Sequence, residues 1–396
     1  MTQSTSAAPL RVVIVGGGIA ALEVVLALHD LAAEHLDVVL IAPEPDFTLR
    51  PAAVAAPFSR GHAARLPLTR VMAEHDGRFV RGAVARVDAA ARTVTLTSGA
   101  VVTYDALVLA PGASAVPAFS RALTFGAHPR ALNGILADLE EGWSRSVAFV
   151  VPPGCSWPLP IYELALMTAQ EVWSMSAEVA IHVVTPELAP LDIFGPEGSA
   201  AVAGLLDAAG ITVHPGVEAQ IHHTGRLDIS GEAQLVVDCV VALPLLEGPR
   251  LSGIPCDADG FIAVDDVGLV HGLECVYAVG DATDRPIKQG GLACQQADVA
   301  AAHIAVRAGA DIEIPPLQQV LRGRLMTGAG DQFLQGRERA SNEPLLWAPA
   351  KVSGEHISPY LIAQNVVDLP IRADASAPGV DVSASQTSVR YAGALT

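Results

Sequence analysis

Three consecutive glycines, Gly16, Gly17 and Gly18, separate the apolar run Val12 to Val15 from a stretch with helical spacing through Leu22, Val25, Leu26 and Leu28. The chemistry open to such a segment is the holding of a pyrophosphate. Gly16 permits a tight turn and Gly18 lets backbone approach a phosphate. Ala21 completes a G-x-G-x-x-A spacing with a side chain small enough for helix to pack on strand. The N–H groups at the start of the helix, and its positive dipole end, then face the phosphates. An ordinary glycine-bearing turn is the competing reading of this segment taken alone.

Further groups extend the pattern. Asp37 to Ala42 (DVVLIA) reads as a second buried strand, and the acid that would bind a ribose diol falls on Glu44. Glu44 lies somewhat further past Gly18 than the roughly 20 residues usual for this role, so a solvated loop carboxylate is its alternative. Arg50, before Pro51, could pair with a phosphate or lie over a cofactor, or be a surface arginine. Tyr104 to Ala113 (YDALVLAPGA) runs a strand, Ala106 to Leu109, into the turn Ala110-Pro111-Gly112, where backbone can again approach a ligand. Cys275 to Ala282 (CVYAVGDA) ends a strand in Gly280-Asp281, whose carboxylate could accept hydrogen bonds from a polyol. Ile287 to His303 opens a helix on Gly290-Gly291, a second N-terminus that could face an electron-rich ring edge or simply be capped.

Between Arg145 and Leu246 the alternation of strand and helix repeats, with strands at Val147 to Val151 and Val179 to Val184. Here VVPPGCSWPLPIYELALM stands where a second glycine loop would be. Aligning Glu163 with the acid of that loop puts Ser156, Pro158 and Ile161 at the three glycine positions. Proline donates no N–H, and bulky side chains keep a pyrophosphate at a distance. NAD(P)H is therefore disfavoured as a ligand, although Glu187, after the second strand of this unit, stands where a ribose could be gripped.

The elements that position these groups define an α/β chain of two or three domains within 396 residues. Apolar residues make up 51% and aromatics only 5%, as expected of buried strands and Ala-rich helices. A net charge of −18 excludes nucleic acid as a partner and disfavours anionic lipid surfaces. No apolar run approaches the roughly 18 residues of a membrane helix, and no signal peptide opens the sequence. A cytoplasmic protein is expected, with membrane contact at most peripheral and on the inner face. The five cysteines show no C-x-x-C spacing, and His182, His222 and His223 share no ligand spacing, so neither a disulfide framework nor a metal site is expected. Phe47 to Phe58 reads as a loop, Phe79 to Val102 as a β-meander turning at Ser98-Gly99, and residues 371–396 as a loose tail.

Taken in order, GGGIAALE, YDALVLAPGA and VYAVGDA resemble the FAD-dependent pyridine nucleotide-disulfide oxidoreductase superfamily over residues 11 to about 305. Within it the chain looks most like the sulfide:quinone oxidoreductase and flavocytochrome c sulfide dehydrogenase branch, on Arg50-Pro51, Tyr162-Glu163 after a cysteine-bearing loop, and Ile287-Lys288-Gln289-Gly290. The resemblance implies two Rossmann-like dinucleotide-binding domains, the second inserted in the first, plus a small C-terminal region. The boundaries expected are 1–115 with 246–310 for FAD, 116–245 for the second unit, 311–370 for the C-terminal region and 371–396 for the tail.

Carried over by motif, the resemblance implies that Gly16, Gly18, Ile19 and Ala20 hold the pyrophosphate, and Glu44 the adenosine ribose. The backbone at Val84 would meet the adenine. Ala110 and Gly112 would pass close to the cofactor, Gly280 and Asp281 would bind the ribityl chain, and Lys288 and Gln289 would face the flavin's pyrimidine edge. Sulfide oxidoreductases of this branch use a cysteine pair. Cys155 matches the first position with a longer interval to Tyr162-Glu163, and no cysteine follows Cys294, which would have to serve as the second. The activity implied is transfer of two electrons from a small reductant through FAD to a quinone or other small acceptor. Cys155 would then act as a thiolate of lowered pKa and Glu163 as a proton acceptor, with Trp347, Lys351 and Tyr360 lining the acceptor pocket. Buried spectator thiols at Cys155 and Cys294, a helix-start carboxylate held by the dipole at Glu163 and core packing of the aromatics are the competing readings. An NAD(P)H-dependent dehydrogenase or ferredoxin-type reductase, and a non-catalytic flavin-binding protein, are the alternatives. A homodimer is left open.

Overall fold

The computed structural model describes residues 8–59, 65–127, 131–223, 226–229, 234–337 and 354–364. Trp347, Lys351 and the segment 371–396 lie outside the described residues. The fold is α/β with two parallel, Rossmann-like sheets.

The first sheet places Leu10–Val15 at its centre, flanked by Ala106–Leu109 and then Val276–Ala278 on one side, and by Leu36–Ala42 and then Arg78–Arg81 on the other. Its central strand reads as a continuous apolar run because both faces are covered. Val12 and Ile14 join the core beneath the helix Ile19–Ala32, whereas Val13 and Val15 join a separate core with Leu107, Leu109 and Val276. Each such side chain, fully withdrawn from water, stabilises the fold by about 1.5–3 kcal/mol. A strand with polar residues on one face could not occupy this place.

From this sheet the chain crosses through Ser114–Val116, which pairs antiparallel with Leu245–Glu247. Between those strands it builds the second parallel sheet, in the order Leu123–Thr124, Cys239–Ala242, Ser146–Val150, Ala180–Val184, Thr212–His214. It then returns to lay Val276–Ala278 against the first sheet.

Two local readings are corrected, and a third segment gains definition. Phe79 belongs to the first parallel sheet, in Arg78–Arg81; the meander is confined to Val84–Asp88, Thr93–Leu96 and Val101–Thr103. The segment read as a loop forms a short strand, Asp46–Thr48, and a 3-10 helix, Arg50–Phe58, with Pro51 in its first turn, where a missing N–H costs nothing. Within 311–370 lies an antiparallel hairpin, Val320–Met326 with Asp331–Arg337. Its first strand alternates half-buried Val320, Arg322, Arg324 and Met326 with buried Leu321, Gly323 and Leu325, a period-two signal.

A candidate cofactor and redox site

The glycine turn and the APG turn meet directly. Gly16 has φ +123°, and a Cβ there would lie 2.0 Å from the Ala110 carbonyl oxygen, so nothing larger than glycine lets these two strand ends abut. Gly18 behaves differently. It precedes the helix Ile19–Ala32 in an extended conformation, and a Cβ on it would meet nothing within 4 Å. No side chain caps this helix, and its first turn carries no acid, so the N–H groups of Ile19 and Ala20 stay available to an anion.

A second helix start converges on the same place. Gly280 (φ +72°) would put a Cβ 3.1 Å from that of Ala20 and 3.4 Å from that of Ala293, in the first turn of Gly290–Ala308. Its N–H donates to Gln296 Oε1 at 2.8 Å. Asp281 follows, its carboxyl pushed up by burial and pulled back down by Lys288, with no hydrogen-bond partner among the described residues. Gly112, with φ +76° and open space at its Cβ position, completes the rim. At the far edge, Gly82 donates to the Ala42 carbonyl at 2.9 Å, which brings the turn bearing exposed Glu44 beside the strand that Val84 opens. Arg50 is exposed at the start of its 3-10 helix. Two helix N-termini, close approach at Gly16 and Gly280, open space at Gly18 and Gly112 and the Asp281 carboxyl suit an elongated dinucleotide, and the residues fit FAD.

Lys288 and Gln289 are both buried and already engaged. The Lys288 ammonium donates to the Thr283 carbonyl and lies 3.8 Å above the centre of the Phe261 ring. Burial lowers its pKa, against Asp281, Asp284 and Asp257, which raise it. Gln289 caps the following helix by accepting from Leu292 N–H at 2.9 Å, and its amide donates to the Arg322 carbonyl at 3.0 Å. Its side chain thus ties the helix start to the C-terminal hairpin.

The sulfur groups are arranged otherwise than expected. Cys155 packs with the second domain's core, whereas Cys294 packs with the first domain's core between the helices Ile19–Ala32 and Ile357–Ala363. On one helix Leu292 faces the former cluster and Cys294 the latter, so the structure does not bring the two thiols together. Burial pushes the Cys155 thiol up to about 11, against a lowering hydrogen bond from the Trp157 backbone and with a further upward push from Glu187. The thiol lacks the lowered pKa that a resident thiolate requires. Burial pushes Cys294 well up, and Glu23 and Asp298 add to the effect. Glu163 is fully buried and accepts from Met326 N–H at 3.0 Å, pinning its helix to the hairpin. Tyr360 donates to Glu74 at 2.6 Å on the first domain.

The residues that the sequence did not single out as a group stand at the end of Ala180–Val184. Tyr162, in the first turn of Leu159–Ser174, donates to Glu187 Oε2 at 2.6 Å, and Thr185 donates to the same oxygen at 2.9 Å. Glu187 Oε1 is buried with no hydrogen-bond partner. Burial raises this carboxyl to about 7, although both hydrogen bonds lower it. All five cysteines are free, and among the described residues no cluster of three or more metal-ligating side chains occurs and no helix is long and apolar enough to cross a membrane.

Paired parallel sheets with a glycine turn at the end of the central strand define a dinucleotide-binding type of fold. Residues 10–127 match the family model described as pyridine nucleotide-disulphide oxidoreductase. It is 27% identical over 282 residues to the ferredoxin reductase component of a chlorobenzene dioxygenase from Cupriavidus sp. (strain PS12), covering 63% of this chain and 62% of that protein. This chain therefore spans less than two thirds of that relative's length. It is 28% identical over 295 residues to an NADH dehydrogenase-like protein of Mycobacterium tuberculosis, covering 68% of this chain and 72% of that one. Its fold is similar to that of the sulfide:quinone oxidoreductase of the hyperthermophilic bacterium Aquifex aeolicus, with a TM-score of 0.73 at 21% identity over 82% of this chain and 83% of that one.

Proposed function

We propose that this chain passes two electrons from a small reductant through FAD to a quinone or another small acceptor. The observation that carries this reading is the state of the second domain. Where a nicotinamide nucleotide would need a glycine loop and an open acid, the loop carries Pro152, Pro153 and Pro158, and Glu187 is held by Tyr162 and Thr185. Bound FAD supplies the chemistry of accepting a hydride equivalent and releasing its electrons to the acceptor. The chain holds it through Gly16, Gly18, Ile19 and Ala20 at the pyrophosphate, Glu44 at the adenosine ribose, Val84 at the adenine and Arg50 over the cofactor. Ala110, Gly112, Gly280 and Asp281 line its central part. Lys288, the Gln289 backbone and the helix start behind them hold positive charge where electron density gathers.

Cys155 serves this reading only if the loaded site lowers its thiol, since its protein surroundings raise it. Cys294 and Glu163 are packed groups in this reading, the one beside Glu23 and the other on the hairpin. Tyr360 is likewise assigned to the packing of the C-terminal helix.

A second reading, an NAD(P)H-dependent dehydrogenase or ferredoxin-type reductase, draws on Glu187 standing at the strand end where a ribose-gripping acid belongs, and on the names of the two relatives. The test is steady-state reduction of a short-chain quinone by FAD-loaded protein, with sulfide, NADH and NADPH supplied in separate runs. Turnover with sulfide and none with either nucleotide is the expected result; turnover with NADH alone would reverse the order of the two readings.

A further inference from the structure

The hairpin Val320–Met326 with Asp331–Arg337 carries a charge that the described residues leave unanswered. Leu321, Gly323 and Leu325 face the second domain: a Cβ on Gly323 would lie 2.7 Å from Phe194 and 2.9 Å from Leu159. Alternation along the strand turns Arg322 and Arg324 the other way. Arg324 has its counterion, donating from Nε to Asp331 at 2.7 Å. Arg322 has none.

Its Nε is enclosed without a hydrogen-bond acceptor. Loss of water is the sole influence on its charge, which it makes less favourable, and no carboxylate offsets it. An enclosed N–H without an acceptor costs stability, which an acceptor brought from outside the chain would offset. Its strand is fixed against the cofactor-side helix at two points. Gln289 Nε2 donates to the Arg322 carbonyl at 3.0 Å, and Gln295 bridges Val320, accepting from its N–H at 2.8 Å and donating to its carbonyl at 3.0 Å. The open guanidinium thus sits on the strand clamped to the start of Gly290–Ala308, whose dipole favours negative charge at the same end.

We propose that Arg322 is a positioning cation for an anionic group that a ligand brings to the junction of this hairpin and the helix Gly290–Ala308. The group is either the negative charge that gathers on the flavin ring when it is reduced or a small anionic ligand bound beside it. A planar fork of N–H donors suits either one. The proposal rests on the reading that FAD occupies the first domain, and a chain that takes up no FAD fails that reading before Arg322 is tested.

The experiment compares wild-type, Arg322→Gln, Arg322→Lys and Arg324→Gln proteins, each loaded with FAD. One arm measures the two-electron midpoint potential in buffer without strongly binding anions, and the other titrates sulfate against the flavin absorbance. If the source is the ring itself, Arg322→Gln weakens stabilisation of the reduced form about tenfold, a fall of about 30 mV in midpoint potential. Arg322→Lys then restores most of it, and Arg324→Gln leaves it unchanged. If the source is a bound anion, the potential holds and the sulfate dissociation constant rises about tenfold in Arg322→Gln alone. Unchanged potential and unchanged sulfate binding in a folded, FAD-loaded Arg322→Gln protein would overturn the proposal. An equal effect from Arg324→Gln would overturn it too, by tracing the change to the hairpin's fold.

Discussion

The Tyr162 hydroxyl donates to Glu187 Oε2 at 2.6 Å, closing the end of the second domain's sheet with the chain's own side chains. The carboxylate stands where a nucleotide ribose could be gripped, and a residue of the neighbouring helix takes up one of its oxygens. Burial raises Glu187 to about 7 even with two donors attached.

That elevation has a sign in stability. The folded state holds a proton on Glu187 at pH values where the unfolded chain, titrating near its ordinary 4.5, has lost it. Stability from this group is present below about 4.5 and declines as pH rises towards about 7, by on the order of 3 kcal/mol in all. Denaturant unfolding at pH 5 and pH 8 should show this loss in the wild type and a smaller one in Glu187→Gln. Equal losses in both proteins would remove Glu187 from the account.

Gly16 and Gly18 are separable by experiment. Gly16→Ala drives a Cβ into the Ala110 carbonyl at positive φ and should cost several kcal/mol or prevent folding. Gly18→Ala enters open space, so apo stability should stay within about 0.5 kcal/mol while FAD affinity falls tenfold or more. Thermal unfolding of the apoprotein, paired with flavin retention on desalting, distinguishes the two.

Cys155 should be a slow nucleophile. With its thiol near 11, alkylation by iodoacetamide at pH 8 should lag well behind that of exposed Cys256 and rise about tenfold per pH unit. Mass spectrometry of the labelled peptides reads both sites in one sample. Rapid labelling at pH 7 would show a thiolate that these surroundings do not support.

How much of this was legible in the sequence follows from how far apart the partners lie. Gly16, Gly112 and Gly280 announce themselves because backbone conformation admits little else there, and their flanking strands are buried runs that a single segment displays. Pairings made by the tertiary fold leave no such trace. Glu163 reads as an acid at a helix start, and nothing local says that Met326 N–H will occupy it. Gln289 and Arg322 meet across the hairpin, and Glu23 accepts from His356 and Ile357 N–H across most of the chain. Leu292 packs in the core that Cys155 joins and Cys294 in another, a division that no single segment displays.

Glu23 also predicts a pH-sensitive attachment of the C-terminal helix. Its carboxylate receives the His356 and Ile357 N–H groups at 2.9 and 2.7 Å, and burial, followed by Glu23 itself, raises Asp298 to about 9. His356 faces Asp298 at 3.9 Å and Asp30 at 3.3 Å, and Glu355 adds negative charge. Asp298 keeps its proton only in the folded state, so its contribution is lost as pH rises from about 4 through about 9. The exchange protection factor across Ile357–Ala363 should fall towards pH 9 in the wild type, and Glu23→Gln should lower it at neutral pH by replacing one of the two accepting oxygens, a bond worth about 0.5–1.5 kcal/mol. Protection unaffected by the substitution would show that the helix is held by Ile357, Leu361 and the Tyr360–Glu74 bond without Glu23.

The central claim, that electrons enter FAD from a small reductant without a nicotinamide grip in the second domain, is tested most directly by anaerobic rapid mixing. The FAD-loaded protein meets sulfide, NADH or NADPH in separate runs while the oxidised flavin absorbance is followed, and a quinone is added afterwards. The account predicts fast bleaching by sulfide, recovery of colour with quinone, and no fast phase with either nucleotide. Fast bleaching by NADH with none by sulfide would contradict it.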